Sequence, residues 1–173
     1  MKKLISVMVL FVFLTLTTMA MASQVAFVGG SGYGPYQTGL GGEFTLDPSA
    51  DLEWVIGSYA SGISSNVIPG TFQTFCLEVS EHVSAYGTYN AALNNAAVLG
   101  GVGSVNGADP ISIGTAYLYS EFAKGTLKDY KFTGTEEERE NSAALLQNAI
   151  WYLENEGGAA NYYYDLAKEV LLV

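Results

Sequence analysis

The pattern of apolar positions divides the chain into a greasy start, a strand-rich half and a helical half. Lys2 and Lys3 precede an apolar run from Leu4 to Leu14, then the polar stretch Thr15 to Thr18, then Ala20-Met21-Ala22 before Ser23. A charged start, a short apolar middle and small residues at a cut site make a secretory signal peptide. Residues 1–22 are expected to be removed, which places the working protein in the secreted or cell-surface compartment. The run falls short of the ~20 residues a spanning helix needs, so no transmembrane segment is expected after cleavage. No cysteine follows the cut site, which argues against a lipoprotein.

Beyond the cut site, Gln24 to Val28, Gly42 to Leu46, Leu52 to Tyr59 and Thr71 to Val79 are short runs of aromatic and branched residues. Clusters of Gly, Pro, Ser and Asn separate them, and this half is predicted to be β. The glycine-rich stretches Gly29 to Gly42 and Gly100 to Gly107 lack a Lys-Ser/Thr ending and a βαβ context, and are predicted turns. After Asp109-Pro110 the spacing becomes helical. Ile113, Ala116, Tyr117, Ser120 and Phe122-Ala123 mark a first helix stopped by Gly125. Thr135 followed by Glu138 is a capping box, Glu136 to Glu140 suits the positive end of a helix, and Gly157-Gly158 ends it. That second helix is predicted over about 136–156, and a third from Ala160 to about Leu171. The β-then-α order predicts an α+β fold in one domain, 23–173.

Composition narrows the function. With 49% hydrophobic and 14% charged residues the chain is no disordered tail. All 17 acidic residues lie beyond position 42, and loss of Lys2 and Lys3 leaves five basic residues and a net charge of −12. Such a surface repels phosphate, so a nucleic-acid partner is excluded. The single cysteine, Cys76, cannot form an internal disulfide. It is a buried small side chain, a link to a second chain, or a reactive group.

On the second helix Gln147 shares a stripe with Ala143, Ala144, Ile150 and Trp151. A glutamine against the core needs partners, because an unpaired buried amide costs about 1–3 kcal/mol. One solution is a hydrogen bond to nearby backbone. Another is chemical: if strand and helix pack together, the Cys76 thiolate can attack the Gln147 carbonyl, expel ammonia and leave an internal thioester. Positioned intramolecular reactions reach effective molarities of ~10⁵–10⁸ M.

The segments Phe75-Cys76-Leu77-Glu78 and Leu146-Gln147-Asn148-Ala149-Ile150-Trp151 resemble the two signatures of bacterial thioester domains, surface modules that act as covalent adhesins. Asp109 to Tyr119, with Trp151 to Glu154, is similar to a region of exported proteins of the PEP-CTERM, exosortase-sorted group. The resemblance spans about 71–156. It implies Cys76 as the thioester sulfur and Gln147 as the acyl donor, and an N-terminal antiparallel β-sandwich or barrel followed by a helical section. The implied targets are surface-protein amines or polysaccharide hydroxyls on a neighbouring cell or matrix, without cofactor, metal or catalytic turnover. Glu78, Trp151, Phe75 and Tyr117 are the expected supporting residues, the aromatic ones as a wall against water. The chain stops at Val173 without the Pro-Glu-Pro motif, apolar helix and basic tail of the sorted group, which reads as a C-terminal truncation or as release without that anchor.

Two other functions fit the residues. One is a non-reactive matrix or envelope structural protein with Cys76 buried and Gln147 only hydrogen-bonded. The other is a cysteine hydrolase with His82 as base, for which no local protease signature is present; His82 is expected at the surface. Asp47, Asp51, Asn106 and Asp109 are oxygen-bearing residues in predicted turns without EF-hand spacing. Tyr162-Tyr163-Tyr164 is expected to pack a helix on the sheet.

Overall fold

The computed structural model describes residues 22–39, 41–58, 68–94, 96–97 and 109–171. Residues 1–21 of the expected signal peptide, Tyr59 at the end of the expected Leu52 to Tyr59 strand, and the Gly100 to Gly107 stretch with Asn106 lie outside them. The expected α+β order holds: antiparallel sheets come first and helices dominate the C-terminal side. Strands β1 (Gln24–Phe27), β2 (Tyr36–Thr38), β3 (Gly41–Pro48), β4 (Phe72–Thr74) and β5 (Thr88–Asn90) form one sheet. A two-stranded sheet joins β6 (Ala96–Ala97) to β7 (Asp109–Pro110). Strand β3 is central: it pairs with β2 through Gly41 to Glu43, with β1 through Leu46 to Pro48, and with β4 through Phe44 to Leu46. Every β3 residue except Asp47 is accordingly buried.

Two strand predictions change. Residues Ala50–Ser58 form a 3₁₀ helix. Ser49 starts it, accepting the Gln24 N–H, donating to Asp51 and taking the Leu52 N–H on its carbonyl. The half-buried Leu52, Val55 and Ile56 then repeat at helical spacing, not in alternation. The run expected from Thr71 to Val79 is a strand only over Phe72–Thr74, so Cys76 sits in the loop beyond β4.

The helices α1 (Ile113–Ala123), α2 (Glu136–Leu153) and α3 (Tyr162–Leu171) begin where local chemistry starts them. The predicted capping box is made: Thr135 N–H donates to Glu138 Oε2 (2.8 Å) and Glu138 N–H to Thr135 Oγ1 (3.3 Å). Helix α2 ends three residues earlier than predicted, with Gly158 beyond it at φ +67°. A Cβ there would lie 2.4 Å from Asn148 O, so the chain returning past α2 needs glycine. Ser112 caps α1, and its hydroxyl donates to the buried Glu154 (2.7 Å), tying the start of α1 to the end of α2.

Helix α2 packs against β2 and β3, while α3 packs on α1 and α2. The tyrosine run therefore joins helix to helix, with Tyr163 buried and Tyr162 exposed, correcting the expected packing on the sheet. The core is centred on Phe75, Leu118, Phe122, Leu146, Ile150 and Tyr163. An ion pair runs through it: Arg139 Nε and Nη2 donate to the two oxygens of Glu43 at 2.8 and 2.6 Å, both side chains being almost fully buried. Tyr130 donates to the same carboxylate (2.7 Å), Arg139 Nη1 donates to Phe132 O (3.0 Å), and the guanidinium stacks on Tyr36. Among the described residues, no helix is long and apolar enough to cross a membrane.

Candidate functional site

Three segments far apart in sequence meet at Cys76. Phe75 fixes the first, its ring edge-on to Phe122 at 5.0 Å in the core, while Tyr119 donates to Gln73 O (3.0 Å) in the middle of β4. The next residue, Cys76, is thus carried half-buried to the mouth of the core. Helix α2 supplies the second segment. Gln147, 1% exposed, lies on its buried face with Ala143, Ile150 and Trp151, as the stripe predicted; Ala144 is half-buried.

The Gln147 carboxamide is clamped to the Cys76 backbone at both ends. Cys76 N–H donates to Gln147 Oε1 (2.9 Å), and Gln147 Nε2 donates to Cys76 O (2.7 Å). The third segment is the start of β3. A Cβ on Gly41 would lie 2.7 Å from Gln147 Cγ and 2.9 Å from Trp151 Cη2, so glycine alone lets the strand close over these two side chains. From the sequence Gly41 belonged to a turn; nothing local distinguishes a turn glycine from a close-packing one.

The thiol S–H donates to the Glu78 carbonyl oxygen (3.0 Å). Burial pushes the Cys76 thiol above its ordinary value, aided by the charges of Glu78 and Glu81, while that hydrogen bond and the Trp151 indole pull the other way. The Trp151 Nε1–H itself is buried and reaches no acceptor within hydrogen-bonding geometry. Cys76 and Trp151 open on a cleft of about 710 Å³ lined also by Phe75, Gln37, Glu81 and His82 and by Phe27, edge-to-face with Phe44 and Tyr89.

The expected supporting residues divide. Phe75, Glu78 and Trp151 line the cleft, whereas Tyr117 packs against the helical core and is not among the lining residues. His82 is exposed at the rim, and the thiol hydrogen is held by Glu78 instead. The Glu78 side chain meets Asp109 and Glu156, with carboxylate oxygens all within 4.8 Å of one another. Such a group can hold a cation, and Asp109 enters it from β7 where the sequence indicated only a turn. Glu156 also accepts the Val79 N–H (3.4 Å), bracing the loop that carries Cys76. Asp51, expected in a turn, lies in the first turn of the 3₁₀ helix, where hydrogen bonds from Ser23 and Ser49 hold its carboxyl below the usual range.

No protein-family model, no curated protein and no solved structure matches this chain.

Proposed function

We propose that the chain is a secreted or cell-surface interaction module that bonds covalently to amine or hydroxyl groups on a target through a Cys76–Gln147 thioester. The observation that carries this reading is the double hydrogen bond between the buried Gln147 carboxamide and the Cys76 backbone. It holds the acyl carbon against the residue that bears the sulfur. It also places a backbone N–H on the carbonyl oxygen, where negative charge develops when sulfur adds.

In the forming step Sγ adds to Gln147 Cδ, the C–S bond forms, the C–N bond breaks, and nitrogen leaves as ammonia with the thiol's proton. Burial disfavours the free thiolate, so proximity supplies what acidity does not. In the binding step a target amine adds to the same carbon, the C–S bond breaks, and the amine's proton ends on Cys76 sulfur. The product is an amide through Gln147 with a free thiol, one event per molecule and no turnover. Export, expected from residues 1–22, puts the module where such targets occur.

A second reading rests on the same contacts. Both ends of the amide are satisfied, so Gln147 also suffices as a non-covalent staple between α2 and the β4 loop in a matrix or envelope protein. Incubation with a biotinylated primary amine separates the two. The first reading predicts stoichiometric labelling mapped to Gln147 and abolished by Cys76→Ala; absence of label on folded protein leaves the staple.

A further inference from the structure

Cys76 and Trp151 both line the cleft, one with its thiol hydrogen engaged and the other with its indole N–H unpartnered. The thiol hydrogen is committed to the Glu78 carbonyl oxygen, while the Trp151 N–H, in a side chain 8% exposed, has no acceptor. A buried donor without a partner costs about 1–3 kcal/mol, and a role in the chemistry of the site is one recognised reason for such a group. Once the sulfur loses its hydrogen it can no longer donate to Glu78 O, and two electron-rich atoms at that distance repel. The displaced charge then needs a donor. Cys76 N–H is occupied by Gln147, and neither Glu78 nor Glu81 offers one when ionised. His82 is at the exposed rim. Among the described residues, two buried donors without a partner line the cleft, Gln37 Nε2 and Trp151 Nε1, and of these the indole is the one that pulls the Cys76 thiol down.

We infer that Trp151 Nε1–H is the hydrogen-bond donor to Cys76 sulfur when the C–S bond breaks, so that Trp151 takes part in opening the thioester and does not merely shield it. The inference rests on the thioester reading for its chemistry, though the donor contact itself does not require the bond. When an amine attacks, the C–N bond forms and the electron pair of the C–S bond moves onto sulfur. The indole stabilises that charge until the amine's proton arrives on sulfur; the indole keeps its own proton. The same contact assists the reverse direction, in which the sulfur nucleophile is generated. Gly41 keeps the arrangement rigid, because β3 closes directly on the Trp151 ring.

The test uses two measurements on the mature protein. In the first, Trp151→Phe is compared with the unaltered chain for the rate at which methylamine opens the thioester. A charge-assisted hydrogen bond corresponds to a roughly ten- to hundredfold slower opening in the variant. In the second, methylamine-treated protein, whose Cys76 is free in either reading, is ¹⁵N-labelled and titrated from pH 7 to 10.5. The chain has two tryptophans, and Trp54 is 58% exposed, so its indole signal is an internal reference. The Trp151 indole proton is expected to move downfield as Cys76 ionises while Trp54 stays, and Cys76→Ala should abolish the shift. A Trp151 signal indifferent to Cys76 ionisation overturns the inference even if Trp151→Phe is unstable. An unchanged opening rate in folded Trp151→Phe overturns it equally. If the intact mass of the unaltered protein before methylamine shows no loss of ammonia but the Trp151 signal tracks the thiol, the donor assignment stands and the covalent reading falls.

Discussion

Glu43→Gln tests the frame that brings Gln147 to Cys76. Arg139 and Gln147 lie eight residues apart on one face of α2, about 12 Å along the axis. The Glu43 clamp on Arg139 therefore sets the position of the helix against β3 and of Gln147 against the β4 loop. The amide keeps the shape but removes the charge, leaving a guanidinium that is 1% exposed without its counter-ion. It also turns one of the two bonds at 2.6 and 2.8 Å into a donor facing a donor, and weakens the acceptor for Tyr130. The contacts to Phe132 O and the Tyr36 ring survive. Breaking a buried pair from one side costs about 3–5 kcal/mol. At about 2–4 °C per kcal/mol for a chain of this size, the melting temperature should fall by roughly 6–20 °C. Thermal melts followed by circular dichroism at pH 7, with urea titrations to check that the m-value is unchanged, measure this. The double variant Glu43→Met, Arg139→Met should recover most of the loss, since apolar replacement of a whole buried pair is often neutral. A single variant melting within about 3 °C of the parent, or a double variant no better than the single, would refute the reasoning.

Three further outcomes follow from the same contacts. Gly41→Ala should cost about 1–3 kcal/mol by overpacking and should displace Gln147 from Cys76, read as a lower urea midpoint together with lost amine labelling; a fully labelled variant contradicts it. Gln147→Leu keeps the volume but strands Cys76 N–H and C=O, so a loss of about 2–4 kcal/mol is expected, and a neutral result would mean water reaches both groups. Burial raises the Tyr163 phenol to about 12, and burial with the Glu43 carboxylate raises Tyr130 well above 10. The unfolded phenols ionise near 10, so the stability due to keeping them neutral is complete below that pH and is lost as pH climbs through about 12. Urea midpoints should fall from pH 10 upward, less steeply in Tyr163→Phe; a flat profile from pH 9 to 11.5 would contradict the assignment.

What the sequence revealed was governed by neighbours in the chain. The Thr135–Glu138 box marks the start of α2 because both partners lie within one turn, and helical period alone placed Gln147 with Ile150 and Trp151 on the buried face. The branched and aromatic content of Leu52 to Tyr59 is equally compatible with a strand or a 3₁₀ turn, and the Ser49–Asp51 bonds that decide it are side-chain contacts. The Glu43–Arg139 pair spans 96 positions and leaves no local mark. The chain's single arginine sits among the glutamates that open α2, where a solvated first turn is the natural expectation, and Glu43 shares its strand with Asp47, so neither residue is marked for burial by its neighbours. Gly41 was hidden among many glycines, and the Glu78, Asp109 and Glu156 group depends on two loops meeting strand β7. The resemblance pointed to Cys76 and Gln147; their contact, and the idle Trp151 N–H beside it, required coordinates.

The central claim is tested most directly by the intact mass of the mature, folded protein before and after methylamine, with Cys76→Ala alongside. The thioester account predicts a mass short by one ammonia, full addition of one methylamine, and neither change in the variant. A full-length mass with a thiol titratable after unfolding, and no methylamine uptake, would contradict it and leave Gln147 as a staple that holds α2 to the Cys76 loop.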